Sequence, residues 1–347
     1  MPINCVELHL HLDGAAKHET LYELSKHKAN SLWRSPADAR EQLVHKQPCS
    51  DLWAFLKPFM QFMPLIAGDP AAIERIAYEL CEEAARNHVV YFEARHCPHL
   101  LSNTAQHALW NPDKVYRADG DVTPEDAVSL IHKGFIRGER DFGVKARQIL
   151  AVFRGKPDIY EETLDMCDRF RDRFVVGLDI AGLAGEAGSE QADLLTKKIF
   201  KEAERRGIHR TVHAGEAGTA NDVKEAIVDL SAERIGHGYR VLGDEAVYQF
   251  AKDSGVHFEV CPWSSFLTAS VKGEWKEHPA VRFMNDDVNF SLSTDDPTLT
   301  GNRMQDEIRL AQSKLGWSDQ QIKKLQLNAL NAAFISDEEK DTLREKL

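Results

Sequence analysis

Along this chain, short apolar runs rich in β-branched residues alternate with longer amphipathic stretches. The strand-like runs fall at 6–13, 89–97, 145–153, 175–182, 210–216, 234–238, 257–262 and 289–296. Helix-like stretches lie among them at 70–87, 161–173, 190–206, 222–230 and 244–253. The connections are too long for hairpins, so the alternation predicts parallel strands joined by crossovers. Eight such strands in 347 residues predict a closed (β/α)8 TIM barrel rather than an open doubly wound sheet. No linker divides the chain, and the expectation is one domain over 1–347.

Side chains two apart on a strand share a face. In the first strand Leu8, Leu10 and Leu12 alternate with Glu7, His9, His11 and Asp13. In the last, Phe290 and Leu292 alternate with Asn289, Ser291, Ser293 and Asp295. This predicts apolar faces toward the helices and polar faces lining a reaction chamber. Between the first two strands, 15–69 forms a long insertion expected to be helical. Within it Leu52, Phe55, Leu56 and Phe59 follow the spacing of one apolar helix face. Such a face packs into a core or covers the barrel mouth as a lid.

With 43% hydrophobic and 28% charged residues the chain can fill a large core. Its net charge of −12 disfavours nucleic-acid backbones and anionic lipid, but not a small neutral ligand in a pocket. The first residues lack the basic and apolar regions of a signal peptide, and no run is long enough to span a membrane. Cys5, Cys49, Cys81, Cys97, Cys167 and Cys261 are scattered without a CxxC pair, as expected of reduced thiols in a cytosolic protein.

The chemistry-bearing residues gather at the C-terminal ends of strands, where barrel enzymes build their sites. His9 and His11 share one face of the first strand. His213 ends the fifth, His237 the sixth, and Asp295 and Asp296 the eighth. Three imidazoles with a carboxylate suit zinc, and related sites take cobalt, iron or manganese. Two histidines could equally form a polar core layer. Glu216, three residues past His213, is placed to exchange protons; a first-turn helix acid would look the same. His237 lies between Gly236 and Gly238, which leaves room for a ligand or for a structural histidine. Gly182, Gly185 and Gly188 form a GxxGxxG run unlike the dinucleotide motif. It reads as a flexible loop or as close backbone approach to a flat ligand. HExxH and the cytidine-deaminase signature are both absent.

Taken together, five blocks resemble one family. They are 6–14 with His9-Leu10-His11-Leu12-Asp13-Gly14, 207–216 with His213-Ala214-Gly215-Glu216, 234–239 with Gly236-His237-Gly238, 257–265 with Cys261-Pro262-Trp263-Ser264-Ser265, and 291–297 with Thr294-Asp295-Asp296-Pro297. In that order they are similar to the adenosine deaminases, animal-type enzymes of the metal-dependent amidohydrolase superfamily. The resemblance implies a distorted barrel binding one zinc, with His9, His11, His213 and Asp295 as ligands. It implies that Glu216 protonates purine N1 and that His237 and Asp295 hold the attacking hydroxide. Asp296 would meet N7, the Gly182 amide N3, and Asp13 with His11 the ribose 5′ hydroxyl. Leu52, Phe55, Leu56 and Phe59 would form the gate, with Trp110 at the rim. The implied activity is hydrolysis of adenosine and 2′-deoxyadenosine to inosine, 2′-deoxyinosine and ammonia by a cytosolic monomer; some relatives also occur at the cell surface.

Asp13 would repel a 5′ phosphate, which favours nucleosides over nucleotides; adenine deaminases of the superfamily usually carry Glu there. Asp179, with no lysine on its strand, argues against a two-metal amidohydrolase site. A barrel retained only for binding would have lost ligands or Glu216, and none is lost. Leu183 stands where the family often has an acid, and His96 where an aromatic residue is expected.

Overall fold

The computed structural model describes residues 2–28, 31–104, 122–183 and 189–347. Eight strands form one parallel sheet in chain order: β1 Cys5–His11, β2 Val89–His96, β3 Lys145–Phe153, β4 Val175–Ala181, β5 His209–Ala214, β6 Arg234–His237, β7 His257–Val260 and β8 Phe290–Leu292. The chain beyond β8 closes the ring on β1. There Asp295 N–H donates to His9 O at 3.1 Å, and His11 N–H donates to Asp295 O at 2.9 Å. Helices lie between the strands, giving the expected (β/α)8 barrel.

Local sequence sets where the helices begin. Among the described residues, five α-helices lie between β1 and β2: α1 His18–Lys28, α2 Pro36–Leu43, α3 Leu52–Leu56, α4 Phe59–Ile66 and α5 Pro70–Arg86. Ser35, Asp51 and Asp69 cap α2, α3 and α5 by accepting backbone N–H groups of the first turn. Pro36 and Pro70 occupy first helical positions, where a missing N–H costs nothing. Leu52, Phe55, Leu56 and Phe59 do not share a single helix. The chain turns at Lys57 and Pro58, because Pro58 has no N–H to offer the carbonyl of Ala54.

The alternation expected of β1 breaks at a bulge. Its register against β2 slips between Cys5 and Val6 and again between Glu7 and Leu10. Glu7 therefore sides with Leu10 against Leu80 and Ala84 of α5. Val6 and Leu8 instead join Tyr91, Ala329, Leu330 and Leu343 in a small cluster at the bottom of the barrel. The C-terminal helices Asp319–Ala332 and Asp337–Arg344 supply that plug. His9 and His11 emerge above it.

Candidate active site

The predicted metal-site and neighbouring histidines reach the barrel mouth from the ends of β1, β5 and β6, and Asp295 from just past β8. His9 lies near the end of β1 and His11 ends it. His213 is next to last in β5, His237 ends β6, and Asp295 follows β8. His9 Nε2 and His11 Nε2 lie 3.3 and 3.4 Å from Asp295 Oδ1. His11 Nε2 faces His213 Nε2 at 3.3 Å. His237 Nε2 is 3.6 Å from Glu216 Oε2 and 4.0 Å from Asp295 Oδ2. Gly236 makes this crowding possible: a Cβ there would sit 2.8 Å from the His9 ring. His237 and Asp295 both hold left-handed backbone, with φ of 66° and 71°. Non-glycine residues rarely adopt it, and such strain concentrates at functional sites.

Carboxylates behind the ring fix which nitrogens face inward. His9 Nδ1–H donates to Glu259 Oε2 at 2.6 Å, and His213 Nδ1–H donates to Asp179 at 3.1 Å. A carboxylate only accepts, so Nδ1 carries a proton, which leaves Nε2 of the neutral ring to present its lone pair to a metal. Arg95 ties the two acids together, at 3.0 Å from Asp179 and 2.6 Å from Glu259. Ser264 Oγ donates to Asp295 Oδ2 at 2.7 Å. Ligand nitrogens of His9, His11 and His213 all lie within 4.8 Å of one another. Inward lone pairs beside a carboxylate repel unless a cation joins them, so the donor set fits a divalent metal such as zinc.

The other carboxyls part in their affinity for protons. Burial raises Glu216 well above the usual range, and the negative charges of Asp295 and Glu190 add to it. Burial, Asp295 and Asp13 likewise hold Asp296 high. Burial alone lifts Asp13 to about 6. Asp295 goes the other way. Burial opposes its charge, but His237, His9 and His11 outweigh that and hold it well below the ordinary carboxylate value. Carboxyl pairs pushed apart in this way mark acid and base assignments.

These groups open into a cavity of 530 Å³. His11, Asp13, His213, Glu216, His237, Asp295 and Asp296 line its polar end, and Leu52, Phe55, Leu56 and Phe59 its apolar end, with Gly182 and Leu183 beside them. Asp13 Oδ1 and Asp296 Oδ1 are buried there without a hydrogen-bond partner among the described residues. Gly14 leaves the room Asp296 needs, since a Cβ would overlap Oδ1 at 1.8 Å. Trp110, Gly185 and Gly188 lie outside the described residues.

A model of the family described as adenosine deaminase matches residues 5–347. The adenosine deaminase of Bos taurus is 43% identical over 99% of this chain and 93% of its own length. The chain belongs to the adenosine deaminase family. As a member it is an enzyme that deaminates adenosine. The adenosine deaminase of Clostridium perfringens is 32% identical over 98% of this chain and 96% of its own. The fold also matches a solved adenine deaminase of Arthrobacter aurescens, with a TM-score of 0.82 at 24% identity over 99% of this chain and 97% of that one. An N6-mAMP deaminase of Arabidopsis gives a TM-score of 0.78 at 24% identity over 99% and 97%. At that identity these two speak only to the fold.

Several residues around the family's site were not singled out from sequence. Arg95, Glu259 and Glu93 are charged positions inside apolar strands, and that incongruity was the available signal. Glu190 was read as the start of the helix 190–206, which begins only at Leu194. Its partners are backbone amides 25–27 residues away, which no side-chain pattern reveals.

Proposed function

We propose that the chain hydrolyses adenosine and 2′-deoxyadenosine with one zinc ion held by His9, His11, His213 and Asp295. The observation that carries this is Glu216: a buried carboxyl with raised proton affinity, 3.6 Å from His237 in the cavity that the histidine cluster lines. When bound, zinc supplies Lewis acidity that brings the pKa of water from 15.7 toward about 7. Glu216 enters protonated and gives its proton to purine N1, which draws electron density from C6. His237, whose Nε2 lies 3.6 Å from Glu216 and 4.0 Å from Asp295, is placed to take a proton from the attacking water. Oxygen adds to C6; one proton of that water passes to the amine, which leaves as ammonia when the C6–N bond breaks, and the other returns to Glu216 and restores the acid. Asp296, kept protonated, can donate to N7, which only accepts. The Gly182 N–H is assigned to N3, and Asp13 accepts from the 5′ hydroxyl. The hydrophobic rim acts as a lid that excludes water.

We read the enzyme as a cytosolic monomer. All six cysteines are free, which suits a reducing compartment. Among the described residues no helix is long and apolar enough to cross a membrane.

The test is a panel of adenosine, 2′-deoxyadenosine, adenine, AMP and N6-methyl-AMP, followed by ultraviolet absorbance with and without a strong chelator. AMP earns its place because Lys57 and Lys156 also line the cavity. Chelator-sensitive turnover of the two nucleosides alone is expected. Turnover restricted to nucleotides or free base would overturn the assignment of Asp13, and chelator-resistant turnover would overturn the metal.

A further inference from the structure

Two buried side chains that take no part in these steps bind three segments of the barrel mouth together. Glu190, 3% exposed, lies between β4 and the helix Leu194–Arg205. Its carboxylate accepts three successive backbone N–H groups in the turn after β5: Gly215 at 2.5 Å, Glu216 at 3.3 Å and Ala217 at 3.0 Å. Successive amides form a nest for an anion, and hydrogen bonds to a charged acceptor are the strong kind. The fit is close, since a Cβ on Gly218 would lie 2.6 Å from Glu190 Oε2. Arg154, also buried, follows β3 and completes the lashing. It donates to Glu190 O at 2.8 Å, to Gly182 O at 3.1 Å and to His213 O at 2.6 Å. The Glu190 stretch is anchored in turn by Ala192 N–H, which donates to Glu225 at 2.9 Å.

We propose that Glu190 is a positioning residue: by holding the backbone of Gly215–Ala217 it fixes where Glu216 presents its carboxyl to the substrate. This rests on Glu216 being the proton donor proposed above. Both oxygens of Glu190 are used, Oε2 on Gly215 and Oε1 on Glu216 and Ala217. Glu190→Gln therefore turns one acceptor into a donor facing an N–H. The turn must shift to relieve that contact, and Glu216 shifts with it. A misplacement of about 1 Å can cost ~10²-fold in rate.

The experiment is a double-mutant cycle on the metal-loaded enzyme, using Glu190→Gln, Glu216→Gln and the pair, with kcat and KM for adenosine, metal content and thermal midpoint measured for each. Glu190→Asp, one methylene shorter, runs through the same cycle in case Glu190→Gln does not fold. Expected is a loss of about 10²-fold in kcat with KM changed only a few-fold and metal retained. On the Glu216→Gln background the same substitution should cost almost nothing, because the group it positions can no longer act. An equal further loss on that background would make Glu190 a general structural support and overturn the proposal, as would full kcat in Glu190→Gln. Near-normal turnover by Glu216→Gln alone would instead overturn the role of Glu216, and with it the basis for this one.

Discussion

Glu216 illustrates how environment rather than residue type assigns a role. It shares the cavity with Asp295, yet the two are driven apart. Asp295 faces three histidines and stays charged; Glu216 faces a buried space and other acids, and takes a proton. Glu216→Gln keeps the shape and neutrality of the protonated acid but has no proton to transfer. Its kcat for adenosine is expected to fall by ~10²–10⁴-fold, the usual worth of general acid catalysis. Elemental analysis should find the metal retained, because Glu216 lies outside the cluster of inward histidine nitrogens. A variant that lost its metal would place Glu216 among the ligands instead.

At the scale of elements, α3 does two jobs with neighbouring side chains. Phe55 is 1% exposed and tilts against His45, whose Nε2–H donates to the Phe55 carbonyl at 2.9 Å. Leu56 is half-buried and lines the cavity. Phe55→Ala should cost stability, about 3–5 kcal/mol if the site cannot collapse. Leu56→Ala should leave the unfolding midpoint nearly unchanged and raise KM for adenosine several-fold at similar kcat, since it removes contact made equally to ground and transition states. An unchanged KM would make α3 core packing rather than a lid. The strands were legible because burial on both faces makes them short apolar, β-branched runs between amphipathic stretches, and the site because its histidines sit where strands end. What stayed hidden arises from contacts without a sequence period. The bulge in β1 turns on which backbone groups β2 offers. The break at Pro58 interrupts a pattern of apolar side chains that itself continues across it. Glu190 binds amides, which every residue but proline carries.

The whole molecule stores charge beneath its site. Glu93, Arg234, Glu259, Arg95 and Asp179 form a chain of ion pairs inside the barrel, from the C-terminal plug to His9 and His213. Phe334 N–H donates to Glu93 at 2.6 Å, so the last helices are part of that framework. Around it the fold also buries neutral histidines, and these contribute to its response to acid. His96 is one. Gln148 spends its amide N–H groups on the Val128 and Arg173 carbonyls, so its Oε1 accepts from His96 Nε2–H at 2.9 Å. Among the described residues His96 Nδ1 is then buried without a partner, and burial lowers the pKa to about 4. The folded pKa lies below the unfolded value of ~6.5, so the unfolded chain binds the extra proton between pH 6.5 and 4. Stability from this group is present above that window and is lost as pH falls through it, by about 2 kcal/mol between pH 7 and 5. His96→Phe removes that slope. It also leaves Gln148 Oε1 without its donor, a cost of roughly 1–3 kcal/mol that does not vary with pH. Urea unfolding of both proteins at pH 7, 6 and 5, under the same metal conditions, separates the two effects. The variant should start less stable at pH 7, and the wild type should close the gap by about 2 kcal/mol at pH 5. A gap that stays constant across the three pH values would mean that His96 titrates alike in the folded and unfolded chain, and that its buried Nδ1 finds a proton acceptor.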